Sequence, residues 1–354
     1  MPERSEPGDN EESFLLVRLG SLGDIVHALP AASALRDAFP AARIDWLVEP
    51  KWRRILEGNR DVNEIVTLDR GTLSTIHSTV KTLRANHYAT AIDFQGLYKS
   101  ALLPFAARIP RRIGFRATYA REGLAAKFYT ETHNPVGAHK VDHNLTLARA
   151  AGASAAAAPR FPLSITNEDR ETATRELAQR NITDYYVLNP GGGWKSKLWP
   201  PAKYGELCAA LAAKYPQLKA VVTYGPGEEA MAQEVLATAG AGSGSQVQSP
   251  AAAAIPLALG PLLAVLQKAK FVVSADTGPL HLASALEAPC IGLFGPTDPA
   301  RNGAYSRDDI NIRNLRGAAT TYDRGATYSD SMLSIAVEQV TQAIDERLRR
   351  VTCP

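Results

Sequence analysis

Short apolar runs rich in β-branched residues alternate with helically spaced segments along almost the whole chain. "FLLVRL" (14–19) reads as a strand and "IVHALPAASALRDAFP" (25–40) as a helix. "RIDWLVE" (43–49), "EIVTLD" (64–69) and "YATAIDF" (88–94) read as further strands, with the helical "LSTIHSTVKTLRANH" between the last two. A strand–helix–strand rhythm predicts a parallel sheet with helices on both faces. The rhythm weakens between about Gly137 and Ser164, then restarts with "DYYVLNPGG", "PAKYGELCAALAAKYP" and "KAVVTYGPGE". The expectation is therefore an α/β chain of two Rossmann-like doubly wound domains, spanning 13–165 and 166–332. Residues 1–12 are expected to be a disordered tail. Residues 333–350 read as an amphipathic helix, with Leu333, Ala336, Val337, Val340, Ala343, Ile344 and Leu348 at helical spacing, expected to pack back on the first domain.

A length of 354 residues with 45% hydrophobic content supplies two cores. A net charge of +3 gives no overall nucleic-acid footprint. Charge is uneven, however. From Lys99 to Lys140 there are eight basic residues against two acidic ones. That suits an anionic partner or a membrane surface, or simply a solvated face. Cys208, Cys290 and Cys353 are odd in number and form no CxxC, so neither a disulfide scaffold nor a zinc site is expected, and a reducing cytosol fits. "MPERSEPGDNEE" is acidic and apolar-poor, unlike a signal peptide. "AAAAIPLALGPLLAVL" is broken by Pro256, Gly260 and Pro261 and is too short to cross a bilayer, leaving peripheral membrane contact.

Open α/β sheets bind ligands outside the carboxyl ends of their strands, so two such domains facing a cleft should carry site residues just after strands. In "LLVRLGSLGDIVHALPA", Gly20, Ser21, Gly23 and Asp24 follow the first strand. The GxGxxG fingerprint is incomplete, which disfavours a dinucleotide. Asp24 reads either as a helix cap or as a general base toward an acceptor hydroxyl. In "NPGGGWKSKLWP", a glycine turn followed by Lys195 and Lys197 suits a diphosphate, or is a glycine-rich hairpin with surface lysines. In "FVVSADTGPLHLASALEAPCIGLFGPTDP", Asp276 ends a strand and Thr277, Gly278 and Pro279 open a helix. Helix amides and the Thr277 hydroxyl suit a phosphate. A carboxylate beside them needs another partner, and sugar hydroxyls provide one. His281 lies one turn further on, within reach of a phosphate, or is a satisfied helix histidine. Together these residues describe a nucleotide-sugar site.

The segments "VRLGSLGDIVHALPA", "IDWLVE", "DFQGLYKSAL", "KLWP", "YGPGEE" and "FVVSADTGPLHLASAL…GLFGPTDP" resemble those of the bacterial lipopolysaccharide heptosyltransferases, glycosyltransferase family 9, of two-Rossmann GT-B architecture. They span 14 to about 305 and are more similar to heptosyltransferase I than to heptosyltransferase II. The resemblance implies a roster of roles. Asp24 is the base. On the donor side stand Gly193, Lys197 (diphosphate), Glu229 with Glu228 as second choice (ribose), Asp276 (sugar), Thr277 and Gly278 (phosphates) and His281. On the acceptor side stand Ser21, His27, Lys99, Arg111, Arg112 and Arg116. The implied donor is ADP-L-glycero-β-D-manno-heptose and the acceptor Kdo-lipid A, an anionic glycolipid. Transfer would invert the anomeric centre, on the cytoplasmic face of the inner membrane, with no cofactor, no essential metal and no nucleic acid.

Two features depart from the family pattern. Gly191, Gly192 and Gly193 stand where hydroxyl residues usually precede the Lys-X-Trp-Pro element, and 307–331 has no match. Competing expectations are another nucleotide sugar or acceptor, a nucleotide-sugar 2-epimerase, a two-lobed solute-binding protein, and an NAD-dependent dehydrogenase.

Overall fold

The computed structural model describes residues 12–69, 71–154, 158–240, 252–315, 320–321 and 325–352. The N-terminal tail through residue 11, the Gly- and Ser-rich residues 241–251 and Cys353 lie outside the described residues. The chain divides into two compact units, Met1–Ser164 and Ile165–Pro354.

The first unit runs β1 (Ser13–Val17), α1 (Leu22–Ala38), β2 (Arg43–Val48), β3 (Glu64–Thr67), α2 (Leu73–Ala85), β4 (Thr90–Asp93), α3 (Tyr98–Ala106), β5 (Arg111–Phe115), β6 (Glu131–His133) and α4 (Lys140–Ala150). Its six strands are all parallel, in the order β3-β2-β1-β4-β5-β6. β1 is buried on both faces, which is why its sequence is a continuous apolar run rather than an alternating one. α1 shows little amphipathicity for a related reason. It is buried from Ile25 to Leu35, with α4 packed against it. A core of Leu15, Val17, Leu47, Leu83, Leu103 and Ile109 lies on one side of the sheet.

The second unit repeats the plan. It runs α5 (Asn167–Ala178), β7 (Tyr185–Asn189), α6 (Pro201–Lys214), β8 (Lys219–Tyr224), α7 (Glu229–Gly240), β9 (Ala252–Pro256), α8 (Leu259–Lys268), β10 (Val272–Ala275), α9 (Gly278–Ala285), β11 (Cys290–Phe294), α10 (Pro299–Asn302), β12 (Ile310–Arg313), α11 (Asp330–Leu333) and α12 (Val337–Thr352). The sheet order is β12-β11-β10-β7-β8-β9, again all parallel. Counted from the first strand of each unit, both sheets have the 3-2-1-4-5-6 order of a Rossmann fold.

The terminal helix, expected to turn back on the first domain, places its apolar face in the second unit. Val340, Ala343 and Ile344 join Leu207, Leu211, Ile291 and Leu293 in one core. Full burial of a Val, Leu or Ile side chain of this kind contributes about 1.5–3 kcal/mol. Arg347 adds a buried ion pair to Asp309, 3.0 Å away. The Trp of the Lys-X-Trp-Pro element serves the same packing. Trp199 is fully buried and donates Nε1–H to the Ile335 carbonyl at 3.1 Å, tying the segment that leads into α6 to the one that precedes α12.

Candidate nucleotide-sugar site

In a sheet of this order the strand direction of travel reverses between the first and fourth strands, and ligands bind beyond their carboxyl ends. Those places are the ends of β1 and β4 in the first unit, and of β7 and β10 in the second.

At the first, Ser21 caps α1 and Asp24 sits in its opening turn. Asp24 Oδ2 accepts from Ser21 N–H at 3.3 Å and from Ser21 Oγ at 3.0 Å. Asp24 is thus a capping residue, one of its two readings, and it has other partners too. Its Oδ1 lies 2.7 Å from Arg18 and 2.7 Å from Lys140 Nζ. Burial pushes the Asp24 carboxyl up, but Arg18, Lys140 and the nearby His27 outweigh burial and hold it well below its ordinary value. Arg18 is anchored in turn. It donates to the Phe94 carbonyl beyond β4, while Gln95 Oε1 accepts from Leu19 N–H at 3.1 Å. The loops after β1 and β4 are therefore fastened together.

At the second, Asp276 is buried at the end of β10 between two partners. Lys197 Nζ is 2.7 Å from Oδ2, and His281 Nε2 is 3.3 Å from Oδ1. Burial raises the Asp276 carboxyl, yet His281 and Lys197 together bring it far below the usual carboxylate range. Lys197 also lies over the Trp194 ring, 4.3 Å from its centroid. Thr277 caps α9, with its hydroxyl 3.1 Å from Ser274 Oγ and 3.5 Å from Asn189 Oδ1 at the end of β7. Gly278 begins the helix and Pro279 is in its first turn. Gly192 has φ +155°, and a Cβ there would meet the Thr277 methyl group at 2.5 Å, so glycine lets the β7 turn lie against the α9 cap. Gly193 is exposed and open. Glu229 is exposed at the start of α7, with Oε1 3.3 Å from Gly227 N–H. Glu228 is half-buried, accepts from Gly225 N–H at 2.8 Å and lies against Gly191.

Not every expected site residue reaches these edges. Lys99, on α3 just after β4, and Arg116, just after β5, are exposed at the carboxyl edge. Arg111 and Arg112 are at the other end. Arg111 pairs in register with Thr90, the first residue of β4. Its guanidinium is held by Glu131 at 2.8 Å and the Ala150 carbonyl at 2.7 Å. Arg112 donates to the Phe128 carbonyl at 2.7 Å and to Ile109 and Pro110 carbonyls, and covers the Phe105 ring. Both arginines brace the amino edge of the sheet, at the opposite end of β5 from Arg116. His27 is buried behind Asp24, edge-on to His139 at 5.1 Å. His281 faces Asp276 rather than standing clear as an independent phosphate ligand. Arg18 and Lys140 were not singled out from the sequence. The "VRLG" run places Arg18 at a strand end, but nothing local points to Lys140.

Among the described residues there is no cluster of three or more groups able to hold a metal, and no helix long and apolar enough to cross a membrane.

Comparison with known proteins bears on this geometry. Residues 76–330 match glycosyltransferase family 9 (heptosyltransferase), so 307–330, expected to have no counterpart in the family, falls within the matched region. Lipopolysaccharide heptosyltransferase 1 of Pseudomonas aeruginosa is 30% identical over 329 residues, covering 89% of this chain and 87% of that protein. The protein of the same name from Escherichia coli K12 is 30% identical over 313 residues, 84% of this chain and 92% of its own. The solved structure of E. coli heptosyltransferase WaaC with ADP superposes with a TM-score of 0.73 at 26% identity, over 96% of this chain and 98% of that one. Two Rossmann-like units, carboxylates at both switch points and these relatives agree: the chain belongs to glycosyltransferase family 9, the heptosyltransferases, and is a glycosyltransferase of GT-B architecture.

Proposed function

We propose that the protein transfers a heptose from ADP-L-glycero-β-D-manno-heptose to Kdo-lipid A, with inversion, in assembly of the lipopolysaccharide inner core. The observation that carries the donor half is Asp276, held between Lys197 and His281 at the opening of α9. In this reading, the amides of Thr277 and Gly278 and the Lys197 ammonium take the diphosphate, and Asp276 takes sugar hydroxyls. Glu229 reads the ribose, and Gly193 lets the backbone approach the phosphates. Donor entry draws Lys197 from Asp276 toward the phosphates. Asp24 removes the proton from the acceptor hydroxyl. That oxygen forms a bond to the anomeric carbon from the face opposite the leaving group, and the anomeric carbon–phosphate oxygen bond breaks. The electron pair leaves with ADP, whose charge Lys197 and the α9 amides offset. Ser21, Lys99 and Arg116 serve the acceptor. Residues of α3 and of the segment between β5 and β6, where Lys99, Arg121 and Lys127 stand exposed along with Tyr98, Phe105, Tyr119 and Leu124, provide peripheral contact with the cytoplasmic leaflet.

The test is product formation with ADP-, UDP- and GDP-sugars against Kdo-lipid A, with wild type and Asp24→Asn in parallel. Heptosylated product from ADP-heptose is expected, and loss of a general base lowers turnover about 10²–10⁴-fold with donor affinity retained. Near-normal turnover in Asp24→Asn would leave the residue as a cap only. Conversion of the donor without acceptor would favour an epimerase.

A further inference from the structure

We propose that Lys140 is a positioning residue that an anionic group of the acceptor draws off Asp24, so that acceptor binding itself turns a weak base into a competent one. This rests on the reading of Asp24 as the general base.

The geometry leaves Asp24 with no vacancy. An ionised carboxylate offers about four lone-pair sites. Here Arg18 and Lys140 fill Oδ1, and the Ser21 amide and hydroxyl fill Oδ2. An acceptor hydroxyl can give its proton to Asp24 only after one of these donors leaves. The charged and titratable groups around the carboxylate are Arg18 beyond β1, His27 on α1 and Lys140 on α4, with His139 behind His27. Arg18 is 9% exposed and committed to the Phe94 carbonyl. His27 is buried inside the unit. The Ser21 amide belongs to the helix cap. The Ser21 hydroxyl can rotate away, but two cations would still hold the carboxylate in its weakest basic state. Lys140 is different: its side chain is 28% exposed and ends a flexible four-carbon stem. Its departure both opens a lone pair and removes a charge that lowers the Asp24 pKa. A ligand able to take it must be anionic, which an acidic sugar's carboxylate or a glycolipid phosphate each satisfies.

The experiment is acceptor kinetics against pH at saturating donor. The acid limb of kcat/KM reports Asp24 before the acceptor binds, and that of kcat reports it afterwards. In wild type the kcat limb should lie about one to three pH units higher, the range by which one nearby opposite charge moves a carboxylate. In Lys140→Met the two limbs should coincide at the higher position, and kcat/KM should fall about tenfold by loss of the anion contact. Lys140→Arg should restore the gap. Methyl-esterified and dephosphorylated acceptors distinguish the source, because the gap should close with whichever anion is removed. Coincident limbs in wild type, or a gap that survives Lys140→Met, overturn the proposal while heptose transfer stands. Absence of transfer by wild type overturns the functional reading and this one with it.

Discussion

The residue with most at stake in the second unit is Asp276, because Lys197 and His281 face it while the proposed function asks it to hold a neutral sugar. Removing one partner of a charged hydrogen bond costs about 1.5–3 kcal/mol, so Asp276→Asn should weaken ADP-heptose by roughly ten- to a hundredfold. Bare ADP carries no sugar, and the variant releases Lys197 toward the phosphates, so ADP affinity should hold or improve. Calorimetric titration of both proteins with both ligands separates the cases. Equal weakening of the two ligands would show that Asp276 organises the α9 terminus instead of reading the sugar. Stability gives an independent check. The Asp276 pKa is depressed in the folded protein, because burial, which raises it, is outweighed by His281 and Lys197. Such a group contributes stability that is fully present above its unfolded value of about 3.9, and loses it as pH falls from there through the folded value. Thermal melts of wild type should therefore decline more steeply below about pH 4 than those of Asp276→Asn, with the two curves converging in acid.

At the scale of elements, β5 separates two kinds of arginine. Arg111 and Arg116 are five positions apart on an extended run, about 16 Å. Arg111 braces the amino edge and Arg116 lies beyond the carboxyl edge. Arg111→Met and Arg112→Met should lower the melting temperature and leave vesicle binding unchanged. Neutralising Lys99, Arg121 and Lys127 together should weaken binding to anionic vesicles at low salt and matter less as salt shortens the Debye length from about 8 Å at physiological strength. Leu124→Ser should weaken binding at every salt concentration. Vesicle sedimentation with these variants, and calorimetry for the first pair, decide between the assignments. Counting charge along the sequence merged these arginines because it carries no information about which sheet edge a residue occupies. Strands and helices were legible for the opposite reason: apolar runs with β-branched residues and 3.6-residue spacing are local signals. So were the turns holding Asp24, Lys197 and Asp276, since each follows an apolar strand. Their partners were not. Lys140 reaches Asp24 across 116 residues and Asp276 reaches Lys197 across 79, and only the folded sheet brings such groups together.

For the whole molecule, the repeated 3-2-1-4-5-6 topology means that each unit closes its own core and has its own switch point. The proposed function divides labour along the same line, with the base in the first unit and every donor ligand in the second. A ligand that binds only the folded form of one unit stabilises that unit by RT ln(1 + [L]/Kd), about 2.7 kcal/mol at a hundredfold excess over Kd. For a unit of this size that corresponds to a rise in melting temperature of roughly 5–11 °C. With ADP alone, slowed amide exchange should therefore concentrate in the turn after β7, in α9 and at the start of α7. The amides of α1 and α4 should exchange as they do without ligand. Adding acceptor should then slow exchange around Ser21 to Asp24 and at the opening of α4. If ADP protects α1 as strongly as α9, the nucleotide is not held by the second unit alone, and the assignment of Asp24 to the acceptor must be abandoned.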